Sequence, residues 1–276
     1  DKIDLGVGVY RTSDGATPVF KAIKAAEAKL VETQVSKAYL GPEGDMGFVH
    51  ALIPYVFGKD FDRSTVEGMQ APGGTGAVRL AVEVAKRSGV KRVWMGTPSW
   101  PNHAQIIAAV GVELKTFGHM TADGFANLDA LKAVLAGAEP GDAVLLHGCC
   151  HNPTGVDYTQ AQWDEIAALL VESNVLPILD LAYQGLGAGM EDDAYGLRKV
   201  LSVVPEALVA YSCDKNFGLY RDRVGAFYVV TSDATALANA MANGATIARA
   251  SWSMPPDHGA AAVRLILEDA DLTAIW

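Results

Sequence analysis

The chain has 276 residues, half of them hydrophobic, with 28 glycines and a formal net charge of −10. That length supports one large α/β domain, or one domain and part of a second. The acidic balance and lack of a basic patch exclude a nucleic-acid partner, and the charge argues for solubility rather than for any one ligand.

The first fifty residues are glycine-rich and read as irregular. They suggest a separate layer or dimer-contact segment over residues 1–44, with a large domain over 45–276. From there strand and helix signals alternate. Thr75 to Arg87 is a helix with Ala77, Leu80, Ala81 and Val84 on one face. Val90–Met95 reads as a strand, His103–Val110 as a helix, Val112–Phe117 as a strand and Leu128–Leu135 as a helix. Ala143–His147 is a strand, Gln160–Glu172 a helix, Val175–Asp180 a strand and Ala194–Val203 a helix. Ala207–Ser212 and Val224–Val230 are strands with no helix between them, so the second is a candidate antiparallel strand. Ala234–Ala250 and Gly259–Leu267 close the series as helices. Short apolar strands separated by helices predict a three-layer α/β fold, a mostly parallel sheet with helices on both faces.

Three cysteines, Cys149, Cys150 and Cys213, form no disulfide framework and suit a reducing cytoplasm. No apolar run reaches the roughly 18 residues of a membrane span, and no signal peptide opens the chain. The chain starts without methionine and stops at Trp276 within a helical pattern, so truncation at both ends is expected.

The segment from Tyr211 to Gly225, Tyr-Ser-Cys-Asp-Lys-Asn-Phe-Gly-Leu-Tyr-Arg-Asp-Arg-Val-Gly, carries the most chemistry. It places Lys215 just past a buried strand. A desolvated amine there is a usable nucleophile towards an aldehyde. Arg223, eight residues on, can clamp a phosphate. An aldehyde and a phosphate together are the two handles of pyridoxal 5′-phosphate (PLP). On spacing alone, a surface lysine beside a charged turn is the plainer reading.

Other distinctive residues fall at strand ends, where open α/β sheets bind ligands. Gly73-Gly74-Thr75-Gly76 opens a helix, which suits a phosphate, though Thr75 equally fits a plain N-cap. Asp180 ends a strand and needs a partner; a pyridinium nitrogen or a capped backbone would serve. Tyr183 follows three residues later. His147-Gly-Cys-Cys-His151-Asn152-Pro-Thr-Gly invites a zinc reading. The ligands are too closely spaced and no second cluster completes a tetrahedron, so no metal is expected. Trp100, in Thr97-Pro98-Ser99-Trp100, can stack on a ring or fill a core.

The lysine segment resembles that of the class I PLP-dependent aminotransferases, aspartate and aromatic amino acid branch. The typical pattern there is Ser-x-Ser-Lys-Asn-Phe-Gly-Leu-Tyr-x-x-Arg-Val-Gly. Ser212, Lys215, Asn216, Phe217, Gly218, Leu219, Tyr220, Arg223, Val224 and Gly225 stand in register. Asp214 departs, standing where serine is usual. An anion beside a phosphate is unfavourable unless it points away or pairs with Arg221 or Arg223.

The resemblance implies the large domain of a fold type I PLP enzyme, with the C-terminal small domain outside this chain. It implies reversible amino transfer between an L-amino acid and a 2-oxo acid. Lys215 would hold PLP and then shuttle the proton. Asp180 would pair with the ring nitrogen, with His103 bonded behind it. Tyr183 and Asn152 would bond the phenolic oxygen. Trp100 would stack on the ring and face the substrate. Gly74, Thr75, Ser212 and Arg223 would take the phosphate. Tyr39 would reach the phosphate of the neighbouring subunit in a homodimer with shared active sites. Arg249 would cross the same interface to a substrate's distal carboxylate, which favours aspartate and glutamate without excluding aromatic substrates. Gly8 would lie near the substrate entrance. The arginine for the α-carboxylate falls in the family's C-terminal portion. A PLP-fold lyase or decarboxylase and a non-catalytic sensing module are the alternatives at this level.

Overall fold

A computed structural model describes residues 8–276. Seven strands form one sheet in the order β1-β7-β6-β5-β4-β2-β3. Their ranges are β1 Val66–Pro72, β2 Arg92–Thr97, β3 Glu113–Gly118, β4 Asp142–His147, β5 Leu176–Leu181, β6 Glu206–Ser212 and β7 Val224–Thr231. β3, β2, β4, β5 and β6 run parallel. β7 is antiparallel to both neighbours, as the missing crossover helix requires. β1, antiparallel to β7, therefore points the same way as β6.

Strand side chains alternate between two cores. Leu208 and Ala210 of β6 and Phe227 and Val229 of β7 face helices α3 (Gly73–Arg87), α4 (Pro101–Val110) and α8 (Ala234–Ser251). Val209 and Tyr211 of β6 and Ala226 and Tyr228 of β7 face the other core. That side is covered by α1 (Lys21–Thr33), α2 (Met46–Val56), α5 (Leu128–Ala136), α6 (Gln160–Ser173), α7 (Tyr195–Leu201) and α9 (Asp257–Glu268). Alternating burial on both faces is what a central, covered sheet demands, so the three-layer expectation holds.

The start of the chain departs from expectation. It is not irregular throughout: α1 lies within it and α2 begins there. α1 is rich in Ala, Lys and Glu, strong helix formers, and buries Ala22, Ile23, Ala26 and Leu30 along one stripe. Lys29 pairs with Asp269 and Gln34 with Asp257, tying this helix to the end of the chain. β1 was also not expected. Its sequence, Val-Glu-Gly-Met-Gln-Ala-Pro, has poor strand propensity, and the full-length ladder with β7 imposes the conformation. The C-terminal pattern resolves into α10, Ala270–Ile275, capped by Asp269. Its Trp276 stacks on Phe217 with centroids 4.3 Å apart and donates from Nε1 to Asn216 O at 2.8 Å. The loop that carries Lys215 is thereby held from beneath.

Candidate active site

The carboxyl ends of β1, β2, β4, β5 and β6 converge on one cleft. Gly74, Thr75, Trp100, Asn152, Asp180, Tyr183, Ser212, Lys215 and Arg223 all line it, with His147, Ala182 and Asp214. Its cavity volume is about 100 Å³. Nine of the residues predicted from sequence are thus brought together.

Lys215 sits on the loop between β6 and β7. Ser212 pairs with Gly225 in the antiparallel ladder, and Cys213 N donates to Val224 O at 2.9 Å, so both ends of the loop are anchored. The Lys215 Nζ lies 5.7 Å from the centroid of the Tyr183 ring. Asn152 Nδ2 donates to the Tyr183 hydroxyl at 3.3 Å. Burial, then the Asp180 charge, raises the Tyr183 pKa above that of an ordinary tyrosine. The hydroxyl therefore keeps its proton, accepts from Asn152, and can donate into the cleft. A Cβ on Gly8 would stand 3.9 Å from the same hydroxyl, so the backbone of Gly8 approaches the rim here.

Asp180, one residue before the end of β5, is a buried carboxylate. His103 Nε2 is 2.8 Å from its Oδ2. Its Oδ1 is buried with no protein hydrogen-bond partner. Buried acceptors are rarely left so, and a cationic N–H in the cleft would satisfy this one.

A polar chain runs behind Asp180. His103 Nδ1 is 3.1 Å from Ser99 Oγ, which is 3.0 Å from His147 Nε2. Asn152 N–H points at His147 Nδ1 at 3.5 Å. Burial and the neighbouring histidines hold the His147 pKa well below the usual histidine range, so the ring is neutral. The partners then fix the direction of every bond. His147 accepts at Nδ1 and donates from Nε2 to Ser99; Ser99 donates to His103 Nδ1; His103 donates to Asp180. The sequence alone assigns no role to Ser99 or His147. The usable signal was position: His147 pairs with Asp180 across the β4–β5 ladder, at the strand end. His147 and His151 lie with ring centroids 4.2 Å apart, and His151 stacks on His119 at 3.6 Å.

The anion end of the cleft is built from glycine contacts. A Cβ on Gly225 would lie 2.6 Å from the Gly73 carbonyl carbon, so the start of α3 packs directly on β7. Gly74 stands against Ser212, with a Cβ reaching within 3.0 Å of its Cβ. These contacts set the free N–H groups at the start of α3 beside Ser212 and Arg223, a ready anion site. Arg223 has φ +57°, a left-handed conformation that costs a non-glycine residue about 1 kcal/mol. Asp214 is 1% exposed and pairs with Arg223, its Oδ2 2.5 Å from Nη1. Its Oδ1 accepts from Val224 N at 2.9 Å. Of the two ways expected for an anion to be tolerated here, pairing is the one realised, with Arg223 rather than the exposed Arg221.

These observations fit PLP. An open carboxylate oxygen awaits a ring N–H, a phenol–amide pair faces a ring oxygen, an amine is at hand, and a glycine cradle with an arginine stands at the far end. Two predicted residues lie elsewhere. Tyr39 is 93% exposed. Arg249, exposed on α8, donates to Ser253 Oγ at 3.1 Å.

The family described as aminotransferase class I and II matches residues 1–276. The tyrosine aminotransferase of Rhizobium meliloti (strain 1021) is 53% identical over 276 residues, all of this chain and 71% of its own length. The aspartate aminotransferase of Salmonella typhi is 44% identical over 280 residues, again with all of this chain and 71% of its own length. Among solved structures, the aromatic-amino-acid aminotransferase from Burkholderia pseudomallei covalently bound to pyridoxal phosphate superposes with a TM-score of 0.95 at 34% identity, covering 99% of this chain and 69% of its own. All three are named as aminotransferases, which decides against the lyase and sensing readings.

Proposed function

The chain belongs to the class I and II aminotransferases, and from that premise we propose how its cleft moves an amino group from an L-amino acid to a 2-oxo acid. The observation that carries the reading is the unpartnered Asp180 Oδ1, buried in the same cleft as Lys215 and Arg223.

When bound, PLP supplies a carbonyl that joins to amines and a protonated ring that takes up the electron pair released at substrate Cα. The chain's residues do the rest. Lys215 would hold the cofactor carbonyl, and its Nζ, once free, would serve as the general base and acid that moves the substrate Cα proton. Asp180 would pair with the ring nitrogen and keep it protonated. The Tyr183 hydroxyl and Asn152 Nδ2 would donate to the ring oxygen. Trp100 would shield the ring from water. Thr75, Ser212, Arg223 and the N–H groups near Gly74 would hold the phosphate.

Substrates named for the relatives span tyrosine, aspartate and aromatic amino acids. The same breadth is proposed here, with aspartate and glutamate read by Arg249. Tyr39 and Arg249 are exposed and away from the cleft. They act in a homodimer, where each would reach the partner's site; Gly8 leaves the entrance open beside Tyr183. The PLP-binding domain is placed at 45–276, with 1–44 as a contact segment whose residues 1–7 lie outside the described part. The proposed compartment is the cytoplasm. Among the described residues, no helix is long and apolar enough to cross a membrane.

The test is transfer in two stages. The holoenzyme is incubated with ¹⁵N-glutamate, desalted, and then given a 2-oxo acid. Recovery of ¹⁵N in the second amino acid, with one label per active site, is expected. Label that leaves as free ammonia in the first stage would refute amino transfer.

A further inference from the structure

Asp214 stands in the phosphate end of the cleft, where a second anion is least expected. It is not a bystander. Its side chain is buried, it lines the cleft with Ser212, Thr75 and Arg223, and its Oδ2 contacts the very arginine assigned to the phosphate. Arg223 Nη1 also donates to Tyr220 O at 2.9 Å, so both hydrogens of Nη1 are used within the protein. Only Nη2 and Nε remain for a ligand. Nη2 lies against Gly73, where a Cβ would come within 2.5 Å of it.

We propose that Asp214 is a built-in competitor for the cofactor phosphate: it occupies one arm of Arg223 and makes the protein hold phosphorylated cofactor more weakly than serine at this position would. The inference rests on the phosphate subsite proposed above. A phosphate group brings a charge of about −1.5 to −2 near neutral pH. Placed beside a buried carboxylate that shares its only arginine, it is opposed by like charge and deprived of a full fork of donors.

The carboxylate does not escape by reorienting, because Oδ1 is fixed by the Val224 N–H at the start of β7. The cations facing Asp214 are Arg223 and Lys215. Cys213 is buried beside it, while β7 and the start of α3 present Val224 and Gly73. Asp180 and Tyr183 line the same cleft. Burial raises the Asp214 carboxyl above the usual carboxylate range, against the pull of Arg223. An incoming phosphate pushes in the same direction, so binding draws a proton onto Asp214 and the competition fades as the pH falls.

The experiment titrates the cofactor-free protein with PLP and with pyridoxal, which lacks the phosphate, following cofactor absorbance at pH 8 and pH 5.5. Wild type is compared with Asp214→Ser, Asp214→Asn and Arg223→Gln. Asp214→Asn is nearly isosteric and keeps an acceptor for Val224 N–H, so it covers the case in which the serine variant fails to fold. At pH 8 both Asp214 variants should bind PLP about tenfold tighter, with pyridoxal affinity unchanged. At pH 5.5 the gain should shrink. Arg223→Gln should lose the preference for PLP over pyridoxal. If Arg223→Gln keeps that preference, the phosphate assignment itself fails. If Arg223→Gln loses it while both Asp214 variants bind PLP no tighter than wild type, or more weakly, Asp214 merely positions the arginine and the competitor role is overturned.

Discussion

His103 Nε2 lies 2.8 Å from Asp180 Oδ2, which leaves Oδ1 of the same carboxylate buried and without a hydrogen-bond partner in a residue that lines the cleft. The two oxygens thus have separate duties, one fixed by the protein and one kept for a ligand cation. A hydrogen bond to a charged group contributes about 1.5–3 kcal/mol. Replacing His103 by Ala should therefore lower kcat by roughly 10- to 150-fold with little change in KM. His103→Gln, which can still donate from its amide, should recover part of that loss. Steady-state kinetics decide; equal damage in both variants would mean that His103 only fills space.

Lys215 is the lysine of the cleft. Changing it to Ala removes both the covalent anchor and the base. Loss of a general base alone costs about 10²- to 10⁴-fold, so Lys215→Ala should fall at least that far. PLP should still bind through Asp180, Arg223 and the start of α3. Borohydride reduction followed by peptide mass analysis should find the cofactor mass on Lys215 in wild type and on no peptide in the variant. Label on another lysine of the wild type would move the assignment.

The sequence made much of this site readable because chemistry sits at strand ends, and strand ends show as breaks after short apolar runs. Asp180 after Leu-Pro-Ile-Leu and Lys215 after Ser212 stand out that way, whereas Asn152 in its Asn-Pro-Thr-Gly turn is picked out only by the resemblance to the aminotransferases. β7 was readable as antiparallel because no crossover helix precedes it. β1 was not, since pairing with β7 rather than its own composition makes it a strand. Nor was the choice between Arg221 and Arg223 as the partner of Asp214, because a loop's return path is set by tertiary packing. The link from Asn152 through His147 and Ser99 to His103 needs two separate strand ends, those of β4 and β2, to be side by side, which periodicity does not encode.

Gly73 has φ +70°, and a Cβ there would stand 2.5 Å from Arg223 Nη2 and 2.7 Å from Asp214 Oδ2. Gly73→Ala should therefore do two things. It adds about 1–2 kcal/mol of left-handed backbone strain, and it pushes the guanidinium off its position. The expected outcome is a lower melting temperature together with weaker PLP binding, while pyridoxal affinity changes less. Equal losses for PLP and pyridoxal would place the damage outside the anion end.

The stacked histidines behind the cleft set an acid limit on stability. Burial, then the charge of His119, holds His151 at about 3, and burial lowers His147 and His119 as well. In the unfolded chain each titrates near 6.5. The unfolded state therefore binds more protons below that value. The stabilisation from neutral histidines is complete above about pH 6.5 and is lost progressively as the pH falls towards the folded values. Each fully linked group contributes up to about 1.4 kcal/mol per pH unit. Urea midpoints at pH 7.5, 6 and 5 should fall steadily. His151→Gln has no proton to gain, so its midpoints should fall less steeply, whatever its stability at pH 7.5. A wild-type midpoint that stays level between pH 7.5 and 5, or an unchanged slope in His151→Gln, would show that these rings titrate alike in the folded and unfolded chain.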